Sequence, residues 1–87
     1  TTSKRVGQVP RPGRANFNGL AVHPSGKFFV TAAGDGRARY WDAGTLKQRR
    51  ALHWEIGKLH SVAFSPDGML AAAGGAKGQI VVWDVDE

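Results

Sequence analysis

The sequence predicts an all-β chain built from one unit used twice. Residues 19–42, GLAVHPSGKFFVTAAGDGRARYWD, lie without a gap over residues 61–84, SVAFSPDGMLAAAGGAKGQIVVWD, at a shift of forty-two. Both copies consist of short apolar runs separated by proline and glycine turns, the pattern of strands joined by hairpins. No segment carries the 3.6-residue periodicity of an amphipathic helix.

The identities of the alignment are Ala21/Ala63, Pro24/Pro66, Gly26/Gly68, Gly36/Gly78, Trp41/Trp83 and Asp42/Asp84. They fall mostly at turns and at the aromatic closing each unit, where backbone geometry restricts the choice of residue. Leu20–Val22 and Val62–Phe64 are brief apolar runs, each entering a turn, His23-Pro24-Ser25-Gly26 and Ser65-Pro66-Asp67-Gly68. Proline presets φ at the second turn position and glycine suits the fourth. Phe28–Ala32 and Leu70–Ala73 are the second strands. The stretches GDG (34–36) and AKG (76–78) read as the next turns, with glycine supplying a positive φ. Arg37–Trp41 and Gln79–Trp83 follow as third strands, and the polar TLKQRRAL of Thr45–Leu52 reads as a fourth strand at an outer edge.

Length and composition bound the function. Eighty-seven residues make at most one small domain with a modest core. Without cysteine there is neither a disulfide framework nor a thiolate metal site. No apolar stretch approaches the ~18 residues of a membrane span, and no signal-peptide pattern opens the chain, so the expectation is a soluble, cytoplasmic protein. Residues 1–50 hold ten basic side chains against Asp35 and Asp42, a balance of +8, whereas residues 51–87 balance at −3. Such asymmetry suits an acidic partner, a polyanion, or attraction between the ends of neighbouring copies.

The stretches SPDG…AAAGG…GQIVVWD and HPSGKFFVTAAGDGRARYWD resemble repeats of the WD-repeat β-propeller family, over roughly residues 17–85. The period of forty-two lies within the 40–45 residues typical of that family. The resemblance implies a hydrogen-bond network in each blade. It joins the third-strand Trp, a Ser or Thr on the second strand, an Asp in the intervening hairpin and a His before the first strand. Trp41, Thr31 and Asp35 match in the first repeat, with Asn16 or Asn18 nearest to the histidine place. Trp83 matches in the second, but Ala73 and Lys77 occupy the Ser/Thr and Asp places, leaving His53 or His60 without its usual partner. The family's Gly-His dipeptide is absent from both.

Residues with a chemical look have plainer readings. GGAKGQ (74–79) is glycine-rich and holds a lysine, but a P-loop needs G-x-x-x-x-G-K-[ST] opening a helix, and here a strand follows. His23, His53 and His60 have no recognised metal-site spacing, and His23, heading a turn, is expected to be solvated. No serine sits in a G-x-S-x-G setting. The expectation is a chain without catalysis, cofactor or metal. Trp54 corresponds to neither closing Trp, and Leu52, Ile56 and Leu59 accompany it, so it reads as packing; its alternative is an anchor for a partner.

The boundaries that follow are a basic segment 1–16, a first blade 17–52, and a second blade 53–87 without an outer strand of its own. Two blades share one interface and leave two faces bare. Those faces are expected to carry Phe28, Val30, Leu70 and the alanine-rich 71–73. The expected function is a non-catalytic protein–protein interaction scaffold, with Trp54, Arg37, Arg39, Arg49 and Arg50 as candidate partner-binding residues. Other blades complete the propeller, through a homo-oligomer of three or four copies or through a larger parent or partner chain. The segment SKRVGQV (3–9) would serve as closing strand. A structural piece of an enzyme is one alternative. A nucleic-acid or polyanion binder using Arg11, Arg14, Arg37, Arg39, Arg49 and Arg50 is the other.

Overall fold

The computed structural model describes residues 16–54 and 56–85, which form seven strands. These are β1 (Phe17–Val22), β2 (Phe28–Ala33), β3 (Arg37–Asp42), β4 (Gln48–His53), β5 (Leu59–Phe64), β6 (Leu70–Gly75) and β7 (Ile80–Asp84). They build two antiparallel meanders, β1-β2-β3-β4 and β5-β6-β7. The segment 1–15, including Arg11 and Arg14 and the closing strand expected of residues 3–9, lies outside the described residues.

Each reversal follows from its turn residues. The Gly26 N–H returns to the His23 carbonyl at 2.8 Å, and the Gly68 N–H to that of Ser65 at 2.9 Å. Both glycines have φ near +75°, which L side chains avoid. The duplication also extends further back than the identities do. The β1–β2 pairing shifts register between Phe17 and Gly19, and the β5–β6 pairing shifts between Leu59 and Ser61, forty-two residues on. Gly19 has a second reason for being glycine: a Cβ there would stand 3.0 Å from the Ser61 Cα, so its absence lets β1 lie close on β5.

The fourth strand starts three residues later than expected. Asp42 Oδ1 accepts the N–H groups of Gly44 (2.8 Å) and Thr45 (2.9 Å), and Leu46 takes a left-handed φ of 59°. Residues 43–47 are thereby held as a turn, because the carboxylate offers these amides an alternative to the ladder.

The two sheets pack face to face along a seam. The first contributes Phe28, Val30, Ala32, Ala38 and Tyr40, all buried. The second contributes Leu59 and Ala73, with Val62, Phe64, Val81 and Trp83 half-buried beside them. Phe28 and Val30, expected on a bare face, are therefore seam residues. Of the expected set, only Leu70 and Ala72 point outward.

That division follows from register. On β2 and β3, Val30 pairs Tyr40 and Ala32 pairs Ala38, so these positions share the seam face. Adding forty-two gives Ala72, Val82, Gly74 and Ile80, which share the outer face of the second sheet. Leu70, Ile80 and Val82 are 43 %, 71 % and 62 % exposed there. The outer face of the first sheet likewise exposes Leu20 and Val22.

Candidate functional site

Trp41 and Thr31 meet on the outer face of the first sheet, where the buried indole Nε1–H donates to Thr31 Oγ1 at 2.9 Å. Asp35 is placed elsewhere. Its carboxylate accepts from the Arg39 guanidinium, at 3.2 Å for one of the two bonds, and from the Arg37 backbone N–H at 3.1 Å. The Arg37 guanidinium stands 3.7 Å away. The bond from Arg39 is the chief reason that the Asp35 carboxyl lies below the usual carboxylate range, with burial opposing it. Arg39 is only 6 % exposed, and its charge is paired with this half-buried partner.

Trp83 solves the same problem differently. Ala73 offers no hydroxyl, and the Trp83 Nε1–H crosses the seam to the Tyr40 hydroxyl at 2.8 Å. Two more polar contacts cross the seam. Asn18 Nδ2 donates to the Leu59 carbonyl at 2.8 Å, and His23 Nε2 lies 2.9 Å from the Gly68 carbonyl. The histidine is not solvated as expected. Its Nδ1 accepts the Ser25 N–H at 3.1 Å, which assigns the proton to Nε2 and makes Gly68 the acceptor. Its ring stacks on Phe28 at 4.4 Å and meets Phe64 edge-on at 5.1 Å.

Tyr40 and His23 are the residues that sequence reasoning passed over. A signal for Tyr40 existed: with Ala73 in the Thr place, a half-buried indole N–H needs another acceptor. Nothing local marks His23, because its partner is forty-five residues away.

The five candidate partner-binding residues do not gather at one point. Trp54 is half-buried, with its ring 4.6 Å from that of Trp83. Arg37, paired with His53 across β3 and β4, is exposed at the same end. Arg39 is committed to Asp35. Arg49 and Arg50 sit together at the bulge where Trp41 pairs Gln48 but Tyr40 pairs Arg50. That bulge sends both guanidinium groups toward the aromatic stack, Arg49 5.4 Å from the Phe28 ring centre and Arg50 5.2 Å from that of Tyr40. Among the described residues, no three His, Cys, Asp or Glu side chains group as metal ligands would. No helix there is long and apolar enough to cross a membrane.

The family model for the WD domain, G-beta repeat, matches twice, over residues 8–42 and 49–84. The chain belongs to the WD-repeat family. Its WD repeats are 34% identical over 68 residues to the small ribosomal subunit protein RACK1y of Oryza sativa subsp. japonica, covering 78% of this chain and 20% of that protein. They are 30% identical over 69 residues to the human serine-threonine kinase receptor-associated protein, covering 79% and 20%. Protein HIR1 of Gibberella zeae is 35% identical over 77 residues, covering 76% of this chain and 7% of its own length. The chain thus spans a fifth or less of these relatives.

Solved structures carry the fold. U3-55K superposes with a TM-score of 0.80 at 20% identity, over 88% of this chain and 25% of the other. The β-propeller domain of Myceliophteria thermophila Cps50 (Swd1) gives 0.75 at 21%, over 84% and 24%. The two WD sheets therefore match about a quarter of a propeller.

Proposed function

We propose that this chain supplies two adjacent blades to a WD-repeat β-propeller that serves as a non-catalytic interaction scaffold. The observation that carries the reading is the exposure of Leu70, Ile80 and Val82. They stand at the repeat positions of Phe28, Ala38 and Tyr40, which are buried in the seam. A contiguous apolar sheet face of this kind is costly in water and marks association. What fits it is a face like that of Val62, Ala73, Val81 and Trp83, which is to say a further blade.

Blades of a different sequence are favoured over a second copy of this chain. In a copy-to-copy seam Val82 would stand where Tyr40 does, and Ser65 where His23 does. The imidazole that crosses the present seam would be missing, while the indole facing Val82 would be that of Trp41, already bonded to Thr31. The partner blades come from a longer parent chain or from a separate one. Among the described residues β7 pairs only with β6, and its outer edge is where residues 3–9, or an equivalent strand, would close the ring. A cytoplasmic setting is proposed from the likeness to a protein named for the small ribosomal subunit.

Light scattering coupled to size-exclusion chromatography tests the scaffold reading. The expected result is that the 87-residue chain self-associates when alone and forms a stoichiometric particle with the missing blades. A monodisperse monomer, indifferent to added blades, overturns it.

A further inference from the structure

Asn18 and His60 occupy one place in the two units. A shift of forty-two lays one on the other. Each falls at the register shift of its first strand, between Phe17 and Gly19 in β1 and between Leu59 and Ser61 in β5. A residue at such a bulge is left out of the ladder and its side chain is re-aimed. Asn18 turns across the seam, where its Nδ2 donates to the Leu59 carbonyl at 2.8 Å. His60 is exposed, and among the described residues no hydrogen bond engages its ring. Its own blade offers no carboxylate in the hairpin, because Lys77 stands where the first unit has Asp35.

The surroundings of His60 have changed in step with it. In the first unit Gly19 pairs Ala32. A Cβ on Gly19 would stand 3.0 Å from the Ser61 Cα and 3.1 Å from the His60 carbonyl oxygen, so the approach of β1 to β5 needs glycine. In the second unit the corresponding pair is Ser61 and Gly74. The side chain has moved from the second strand to the first, and the Ser61 Oγ lies where a Cβ on Gly74 would come within 2.9 Å of it. A blade laid on this face as β5 lies on β1 would meet the Ser61 Cβ with its first strand, and must stand off from it. An amide as short as that of Asn18 would then fail to reach a carbonyl. The imidazole Nε2 is one bond further from Cβ than an asparagine Nδ2, and it too can carry a donor proton. The wider gap and the longer donor go together.

We propose that His60 clasps the next blade of the propeller. Its imidazole donates to the backbone carbonyl at that blade's Leu59 place, and Ser61 is the spacer that sets the gap. The site rests on the blade reading above and names the polar contact that accompanies the apolar face of Leu70, Ile80 and Val82. The occupant is the first strand of a blade, because the described seam seats this same surface on one. A backbone acceptor makes the clasp independent of the side chains that the next blade carries.

Urea unfolding of the native assembly, followed by tryptophan fluorescence, tests the clasp. His60→Asn should lower the midpoint by a few tenths of a molar, as the loss of one hydrogen bond does. His60→Gln, whose amide reaches one bond further, should keep it. On a Ser61→Gly/Gly74→Ala background, which reproduces the arrangement of the first seam, His60→Asn should no longer lower the midpoint. That dependence on background is the mark of coupling between the donor and the gap. Equal losses on the two backgrounds, or equal losses for His60→Asn and His60→Gln, overturn the clasp. An occupant other than a blade would offer no carbonyl at this place, and His60→Asn would then cost nothing. Ile80→Lys separates the two readings. A lowered midpoint for Ile80→Lys with none for His60→Asn overturns the clasp and leaves the blade reading standing, whereas no change in either overturns both.

Discussion

Trp83 donates its indole N–H to the Tyr40 hydroxyl at 2.8 Å, joining the third strand of one blade to the third strand of the other. The bond stands in for one that Ala73 cannot make, and it turns a private contact within a blade into a tie between blades. Tyr40→Phe should therefore destabilise the pair by about 1–3 kcal/mol, the cost of leaving a half-buried donor unsatisfied. Urea midpoints for Tyr40→Phe, Trp83→Phe and the double variant test this. Strict additivity of the two single effects would show that the bond contributes nothing.

Thr31→Val removes the acceptor of Trp41 while keeping the shape of the side chain. A loss of about 1–3 kcal/mol is expected, because Trp41 and Thr31 are both buried and no solvent can replace the hydroxyl. Thermal unfolding of the assembled protein reads it. The effect should leave the Tyr40–Trp83 coupling untouched, since the two bonds lie on opposite faces of the first sheet.

Gly26 and Gly68 share the same turn position and the same positive φ but differ in their surroundings. A Cβ on Gly26 meets nothing within 4 Å, whereas one on Gly68 would stand 2.5 Å from His23 Nε2. Gly26→Ala should cost only the left-handed backbone penalty, about 1–2 kcal/mol. Gly68→Ala should cost clearly more, because it also displaces the histidine that braces the seam. Equal losses in denaturant unfolding would mean that His23 carries no strain-bearing contact.

Acid should weaken the first blade through Asp35. Its carboxyl is held below the ordinary range chiefly by Arg39, so the folded state keeps the carboxylate ionised where the unfolded chain would protonate it. The stabilisation is complete above the ordinary Asp range and is lost as pH falls through the lower folded value. Asp35→Asn should flatten that part of the acid limb in melts run across the acidic range. An unchanged limb would place the acid sensitivity elsewhere.

Ile80→Lys or Val82→Glu should leave the fold of the isolated chain intact and reduce its self-association, since both side chains are outward and exposed. Sedimentation velocity on each variant makes the comparison. In the complete propeller the same substitutions should destabilise, because there the face is expected to be covered.

Much of this was legible in the residues. Pro24, Gly26, Gly36 and their counterparts mark the turns, and turns spaced along apolar runs leave little freedom over where strands lie. What could not be read was the choice of face. Val30 and Phe29 are neighbours of equal apolarity, and only the packing of one sheet on the other decides which of them enters the seam. Asp35 shows the same limit at the level of one side chain. Its spacing from Trp41 admits a bond to the Thr–Trp pair, but Arg39, on the same face as Thr31, competes for the carboxylate with a full charge and takes it. His23 and Gly68 come together only because two turns of equal shape stack across the seam.

The seam face of the first sheet and the outer face of the second are the same surface displaced by forty-two residues, so the seam joins two unlike faces of one repeating unit. Such a heterologous contact has no built-in terminus: each unit added exposes again the face it covers. Only the curvature that brings the last unit back to the first can stop the addition. A blade pair produced in excess of its neighbours is consequently a candidate for open-ended fibres, and matched synthesis of the remaining blades is as much a solubility requirement as a structural one.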